Sequence, residues 1–140
     1  MAALVAIVYF SCTPKAEDTP SEGKDGPVMR EVSEMVSLMF EMEADMKMIR
    51  SGLVDDSTYS QVEVNVYKKF FTAKTSKDVK IDSVFVVKGN AFLKELHRLS
   101  NTNARDSAFT FFNNAVNACI TCHENYCPGP VARIKKLRIE

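Results

Sequence analysis

Apolar residues recur along the early part of the chain at alternating spacings of four and three: Val28, Val32, Met35, Met39, Met42, Met46, Ile49 and Leu53. Such a seven-residue repeat keeps one face of an α-helix apolar. Glu31, Glu34, Glu41, Glu43, Asp45, Lys47 and Arg50 fall off that stripe, mostly on the solvent side. Pro27 stands where a helix can begin and Gly52 where one can end. The pattern predicts a long first helix from about residue 27 to about residue 52.

Three further segments follow. Tyr59, Val62, Val66, Phe70 and Ala73 fit a helical face after the capping cluster Asp55-Asp56-Ser57. Residues Val62 to Val66 also alternate with period two and are rich in β-branched side chains, so this segment alone reads as helix or strand. Phe85, Gly89, Phe92, Leu96 and Leu99 make a third stripe, closed by Asn101-Thr102-Asn103. The fourth segment, from about 104 to about 126, carries two adjacent stripes. One is Ala108, Phe111, Ala115, Ala118 and Cys122; the other is Phe109, Phe112, Val116, Cys119 and His123. A double stripe means a wide buried face, and Pro128-Gly129-Pro130 stops the helix. Four amphipathic segments with short joints predict an all-α, antiparallel up-down-up-down four-helix bundle.

The N-terminal end differs in character. Residues 2–10 form an apolar run of signal-segment length, too short to span a bilayer, that ends in Ser11-Cys12. A small residue before a cysteine at the end of such a run resembles a bacterial lipobox, although no Lys or Arg precedes it. That resemblance implies a signal peptide over 1–11, cleaved before Cys12, with Cys12 lipidated and the protein held on a membrane. Residues 12–26 are polar, with Pro and Gly throughout, and read as a flexible tether. The remainder, 27–140, is the length of one small domain with a short basic C-terminal tail. Formal net charge is zero, so no excess of basic residues points to nucleic acid.

Candidate chemistry is concentrated in Cys119-Ile120-Thr121-Cys122-His123. Cys-x-x-Cys-His is the attachment pattern of c-type haem: two thiols become thioethers and the imidazole ligates iron. On a helix these positions stand at i, i+3 and i+4, sharing one face within about one turn. One turn of backbone then anchors a flat macrocycle and places an imidazole nitrogen on its metal. Two alternatives use the same cysteines. They can form half of a zinc site completed by His97, His123 or Cys127, which would make the chain a zinc-stabilised helical lipoprotein with a scaffolding role. They can also be a redox pair, though such a pair normally opens a helix after a strand, and residues 108–118 read as helix interior. Cys127 is the one cysteine left over; burial as a small apolar residue is the first account of it, and a second haem thioether, an intermolecular disulfide or a redox role are the alternatives.

A helical bundle with Cys-x-x-Cys-His in its last helix resembles the class II cytochromes c, the cytochrome c prime family. The resemblance covers about residues 27–127 and includes a methionine-bearing first helix. It implies one covalent haem c near the C-terminal end of the last helix, held by Cys119 and Cys122, with His123 as proximal ligand. Family members often carry an aromatic-basic pair three residues after the histidine; here Tyr126 is present, but Cys127 replaces the base. Arg133, Lys135 and Lys136 are candidates to approach the haem propionates in its place, or are an ordinary solvated end.

All seven methionines lie at or before position 48, so a methionine ligand must come from the first helix. Met35 is the first candidate for the sixth ligand and Met39 the second; His97 is a third. A His/Met pair implies electron transfer with redox partner proteins rather than enzymatic chemistry. An open sixth position implies instead a five-coordinate cytochrome c prime that binds NO or CO. Phe70, Phe92, Phe109, Phe111 and Phe112 are candidates to line a dry pocket in either case. The expected location is the periplasm or outer surface of a bacterium, and the sequence is compatible with a monomer or a homodimer.

Overall fold

The structure, a computed structural model, describes residues 32–55, 57, 63–76 and 79–140. The expected signal segment 1–11, Cys12, the tether 12–26, Val28, Tyr59 and Val62 lie outside the described residues. Among the described residues all regular structure is helical: α1 (Glu34–Val54), a 3-10 helix (Val64–Phe71), α2 (Ser83–Ser100), α3 (Arg105–Tyr126) and a short α4 (Val131–Lys135). The all-α class is therefore as the sequence predicts.

The helix starts follow from local chemistry. Ser33 has extended backbone and its hydroxyl accepts from Val36 N, so α1 begins at Glu34 rather than near 27. Val32 precedes that cap and is 57% exposed, outside the stripe it was assigned to. The buried face of α1 is Met35, Leu38, Met42, Met46, Ile49, Gly52 and Leu53, with Met39 half-buried. A straight helix turns every 3.6 residues rather than 3.5, which brings Leu38 inward. Asp82 caps α2 by accepting from Phe85 N at 2.8 Å. The third stripe is buried throughout, with Leu93 added to it.

The second segment departs furthest from expectation. It forms an eight-residue 3-10 helix instead of a long α-helix. In a 3-10 helix side chains at i and i+3 eclipse. Tyr67 and Phe70 are accordingly buried at that spacing, continued by Ala73, whereas Val66 points outward. The Tyr67 hydroxyl donates to the Asp45 carboxylate of α1, and burial followed by that carboxylate drives the phenol pKa upward.

Cross-contacts give the helix directions. Tyr126 reaches Asp82, Asn114 reaches Glu95, and Arg98 lies over the Phe111 ring, so α2 and α3 run antiparallel along their length. Arg105, at the start of α3, donates to the Leu53 and Val54 carbonyls at the end of α1. That contact satisfies carbonyls a helix end leaves unpaired, and it sets α3 antiparallel to α1. The C-terminal tail is part of the fold rather than a solvated end. Ile134 and Leu137 are buried, and Asn113 of α3 exchanges hydrogen bonds of 2.8 and 3.0 Å with the Ile139 backbone.

Candidate functional site

The C-terminal half of α3 forms one wall of a cavity of about 290 Å³. Cys119, Cys122, His123 and Tyr126 lie on that wall. Met35, Met39, Met42 and Met46 of α1 line it as well, together with Phe85 and Phe92 of α2. Ile134 and Leu137 also line it, and Thr75, Ser76 and Val79 come from the segment ahead of α2. That segment is held against α1 from both directions. Met35 N donates to the Lys74 carbonyl at 3.0 Å, and Lys74 N donates to Glu34 Oε2 at 3.0 Å. The first bond uses an amide donor at the start of α1, where such donors lack intrahelical partners, and the second uses the side-chain carboxylate beside it.

His123 is fixed by the end of its own helix. Cys127 N donates to the His123 carbonyl at 2.9 Å, closing the last turn, and His123 Nδ1 lies 3.1 Å from the Cys127 carbonyl oxygen. A carbonyl only accepts, so Nδ1 carries the proton and Nε2 is left with the lone pair. Burial lowers the imidazole pKa first of all, nearby Arg133 lowers it further, and the Cys127 bond opposes both. The outcome is a half-buried, neutral imidazole with a settled tautomer, the arrangement a metal-ligating histidine uses.

The two thiols sit in a different electrostatic setting from a redox pair. Burial, and then the neighbouring Cys122, push the Cys119 thiol up to about 12. Burial also raises Cys122, although Lys88 works against it. Reactive Cys-x-x-Cys thiols are instead lowered by positive surroundings or a helix N-terminus. These lie near a helix C-terminus, and both line the cavity that four methionines of α1 also line.

Residues beyond the motif complete the enclosure. The Tyr126 hydroxyl donates to Asp82, its ring meets Phe85 edge-on at 5.3 Å, and burial followed by Asp82 raises its pKa to about 12. Arg133 of α4 pairs with Glu43 of α1 at 2.9 Å and lies over the Phe40 ring, tying α4 to α1 beside the cavity that all three line. The Glu43–Arg133 pairing and the Cys127 carbonyl carried no signal in sequence, because each depends on where the chain turns after Tyr126.

The candidate residues separate clearly. Cys119, Cys122, His123, Met35 and Met39 share the cavity, as does Arg133. His97 does not line it; it is exposed near the end of α2, with its ring beside Asn101. Lys135 and Lys136 line a separate cleft. Of the five phenylalanines expected around a pocket, Phe92 lines this one, and Phe40 and Phe85 join it instead of the rest. Phe112 is wholly buried in the core, and Phe70 packs on Phe71 and Phe85. Cys127 is exposed rather than buried. Among the described residues no cluster of three or more His, Cys, Asp or Glu side chains is placed to hold a metal ion. No described helix is long and apolar enough to cross a membrane.

Comparison with protein-family models, with curated proteins and with solved structures finds no match to this chain.

Proposed function

We propose that this chain is a mono-haem c-type cytochrome of class II type that transfers single electrons. In this reading Cys119 and Cys122 hold haem c through thioethers, His123 is the proximal ligand, and Met35 supplies the sixth. The observation that carries it is the shared cavity: two thiols, one imidazole whose Nε2 keeps its lone pair, and four methionines line one space. The residues fit the group on chemistry as well as placement. The lining is chiefly apolar and sulfur-rich, the thiols are neutral, and the imidazole is neutral.

Register favours Met35. Arg105 ties the start of α3 to Leu53 and Val54. In antiparallel helices of equal rise, His123 is as far along α3 from Arg105 as residues 35 and 36 are back along α1 from that tie. Met35 therefore stands level with His123, and Met39 about one turn beyond.

When bound, haem supplies a one-electron iron couple whose potential a His/Met ligand pair raises. The protein's part is to hold both ligands nearly still. The Cys127 carbonyl fixes the imidazole plane, and the Lys74 carbonyl fixes the turn that carries Met35. Apolar walls would keep water from a bound iron, so that little reorganisation would accompany a change of oxidation state. We place α1, the 3-10 segment, α2 and α3 in the four positions of an up-down-up-down bundle, with the second position held by a shortened helix. Export, lipidation at Cys12 and partnership with redox proteins at a membrane surface belong to the same proposal.

An absorption spectrum of the matured protein, oxidised and dithionite-reduced, with and without CO, tests the reading. A split low-spin reduced spectrum indifferent to CO is expected, becoming CO-sensitive in Met35→Ala. A broad high-spin band that shifts with CO in the unmodified protein would replace the electron carrier by a gas-binding cytochrome c prime. Absence of any Soret band would remove haem altogether.

A further inference from the structure

A second cleft lies where the C-terminal tail crosses α1 and α3. It measures about 1040 Å³ and shares no lining residue with the methionine-lined cavity. Its cationic side chains are Arg50 of α1 and Lys135, Lys136 and Arg138 of the tail; Glu140 is the one acidic residue lining it. Among the described residues none of these four cations makes an ion pair with a carboxylate. The cleft is therefore a concentration of positive charge on a chain whose formal net charge is zero.

Arg50 is the informative member. Its Nε is buried and has no hydrogen-bond partner. A buried N–H without an acceptor is costly and uncommon in folded proteins. The position also has a held geometry. Asn113 pins the Ile139 backbone with two hydrogen bonds, and Arg138 donates to Asn117 Oδ1. These bonds settle the tail that presents Lys135 and Lys136. Val54, Phe109 and Ile139 add apolar surface beside the charges. A planar guanidinium lining the same cleft as two ammonium groups suits phosphate oxygens. Arg50 is fifteen residues from Met35, about 22 Å along α1, so an occupant here would not touch the sulfur-lined cavity.

We propose that the Arg50–Lys135–Lys136–Arg138 cleft binds the phosphate group of a larger, partly apolar molecule, with the Arg50 guanidinium donating to a phosphate oxygen. Two sources carry that chemistry, a soluble organophosphate and the headgroup of an anionic phospholipid. The cleft's volume exceeds a lone phosphate ion, and its apolar residues are placed to meet what the phosphate is attached to.

The test uses the full chain bearing Cys12→Ser, so that no acyl anchor contributes to membrane binding. Three probes are compared: glycerol 3-phosphate by calorimetry, and vesicles of phosphatidylglycerol or of phosphatidylcholine by co-sedimentation. Binding of glycerol 3-phosphate that weakens about tenfold or more in Arg50→Gln supports a soluble ligand, the loss of one charge-assisted contact being of that order. Binding to phosphatidylglycerol but not phosphatidylcholine vesicles, lost in Arg50→Gln, supports a headgroup. The double variant Lys135→Gln/Lys136→Gln, at two exposed positions, must weaken whichever binding is seen. It keeps the test decisive if Arg50→Gln does not fold. No response to any probe, or binding that both variants retain, overturns the proposal.

Discussion

Gly89 offers a perturbation whose sign runs against ordinary helix chemistry. It lies inside α2, where replacing glycine by alanine normally stabilises a helix by about 1 kcal/mol. Here a Cβ would stand 2.8 Å from Phe70 Cζ and 2.8 Å from Phe71 Cε1, and closer still to Phe70 Cε2. Phe70 is buried and has little room to yield. The Phe70 and Phe71 ring centroids are 4.3 Å apart, and Phe70 also meets Phe85 at 6.0 Å. Overpacking of a well-filled core typically costs about 1–3 kcal/mol, and three ring atoms inside contact distance argue for the upper part. Subtracting the helical gain leaves Gly89→Ala destabilised by about 2 kcal/mol. The route of the strain matters for function. Pushing the 3-10 helix off α2 disturbs Phe85 and the segment from Ala73 onward, both of which border the methionine-lined cavity. Urea denaturation followed by far-ultraviolet circular dichroism measures the difference. Asn90→Ala is the control: Asn90 is exposed on the same helix and should gain about 0.5 kcal/mol from propensity alone. If Gly89→Ala is as stable as the parent, or gains as Asn90→Ala does, the rings are not pressed on Gly89 and the reasoning fails.

Two other outcomes follow from named contacts. Leu137→Ala should cost about 2–3 kcal/mol in the same denaturation assay, because Leu137 is buried against the core; a cost below about 0.5 kcal/mol, the range of surface changes, would mean the tail is not part of the fold. Asp82 is held below its ordinary pKa by the Tyr126 hydroxyl and then by the Phe85 N–H. A carboxyl lowered on folding adds stability above its unfolded pKa and loses it as pH falls through the folded value. Stability should therefore fall as pH drops below the usual carboxylate range, and fall less steeply in Asp82→Asn. Parallel acid slopes for the two proteins would contradict that assignment.

The parts of the molecule most legible in sequence are those in which a long repeat meets a local stop. The third stripe is buried as read, because Asp82 and Asn101 bracket it and nothing else competes for its face. The end of α3 was marked by Pro128-Gly129-Pro130 in the same way. The start of α1 was misplaced because the heptad runs through Ser33, whose cap is a stronger local signal than Pro27. The second segment was read at α-helical spacing, although Val64, Tyr67, Phe70 and Ala73 already recur every third residue. A spacing of three is shared by both helix types, and only docking on Gly89 and Asp45 decides between them. The tail misled for a different reason. Arg133, Lys135, Lys136 and Arg138 dominate its composition and hide Ile134 and Leu137, which face inward. For the candidate site, residue identity and spacing pointed to Cys119, Cys122, His123 and Met35, and these line one cavity. The hydrogen bond that fixes the His123 tautomer comes from a backbone carbonyl, which no side-chain pattern reports.

Whether haem stays with the polypeptide when the protein is unfolded tests the central claim most directly. The exported protein would be treated with acidified acetone and its intact mass measured alongside the double variant Cys119→Ser/Cys122→Ser. The account predicts that the parent chain retains the mass of one haem, and that the variant chain emerges without it. A parent chain that carries no haem after correct export would contradict the account, whatever its fold.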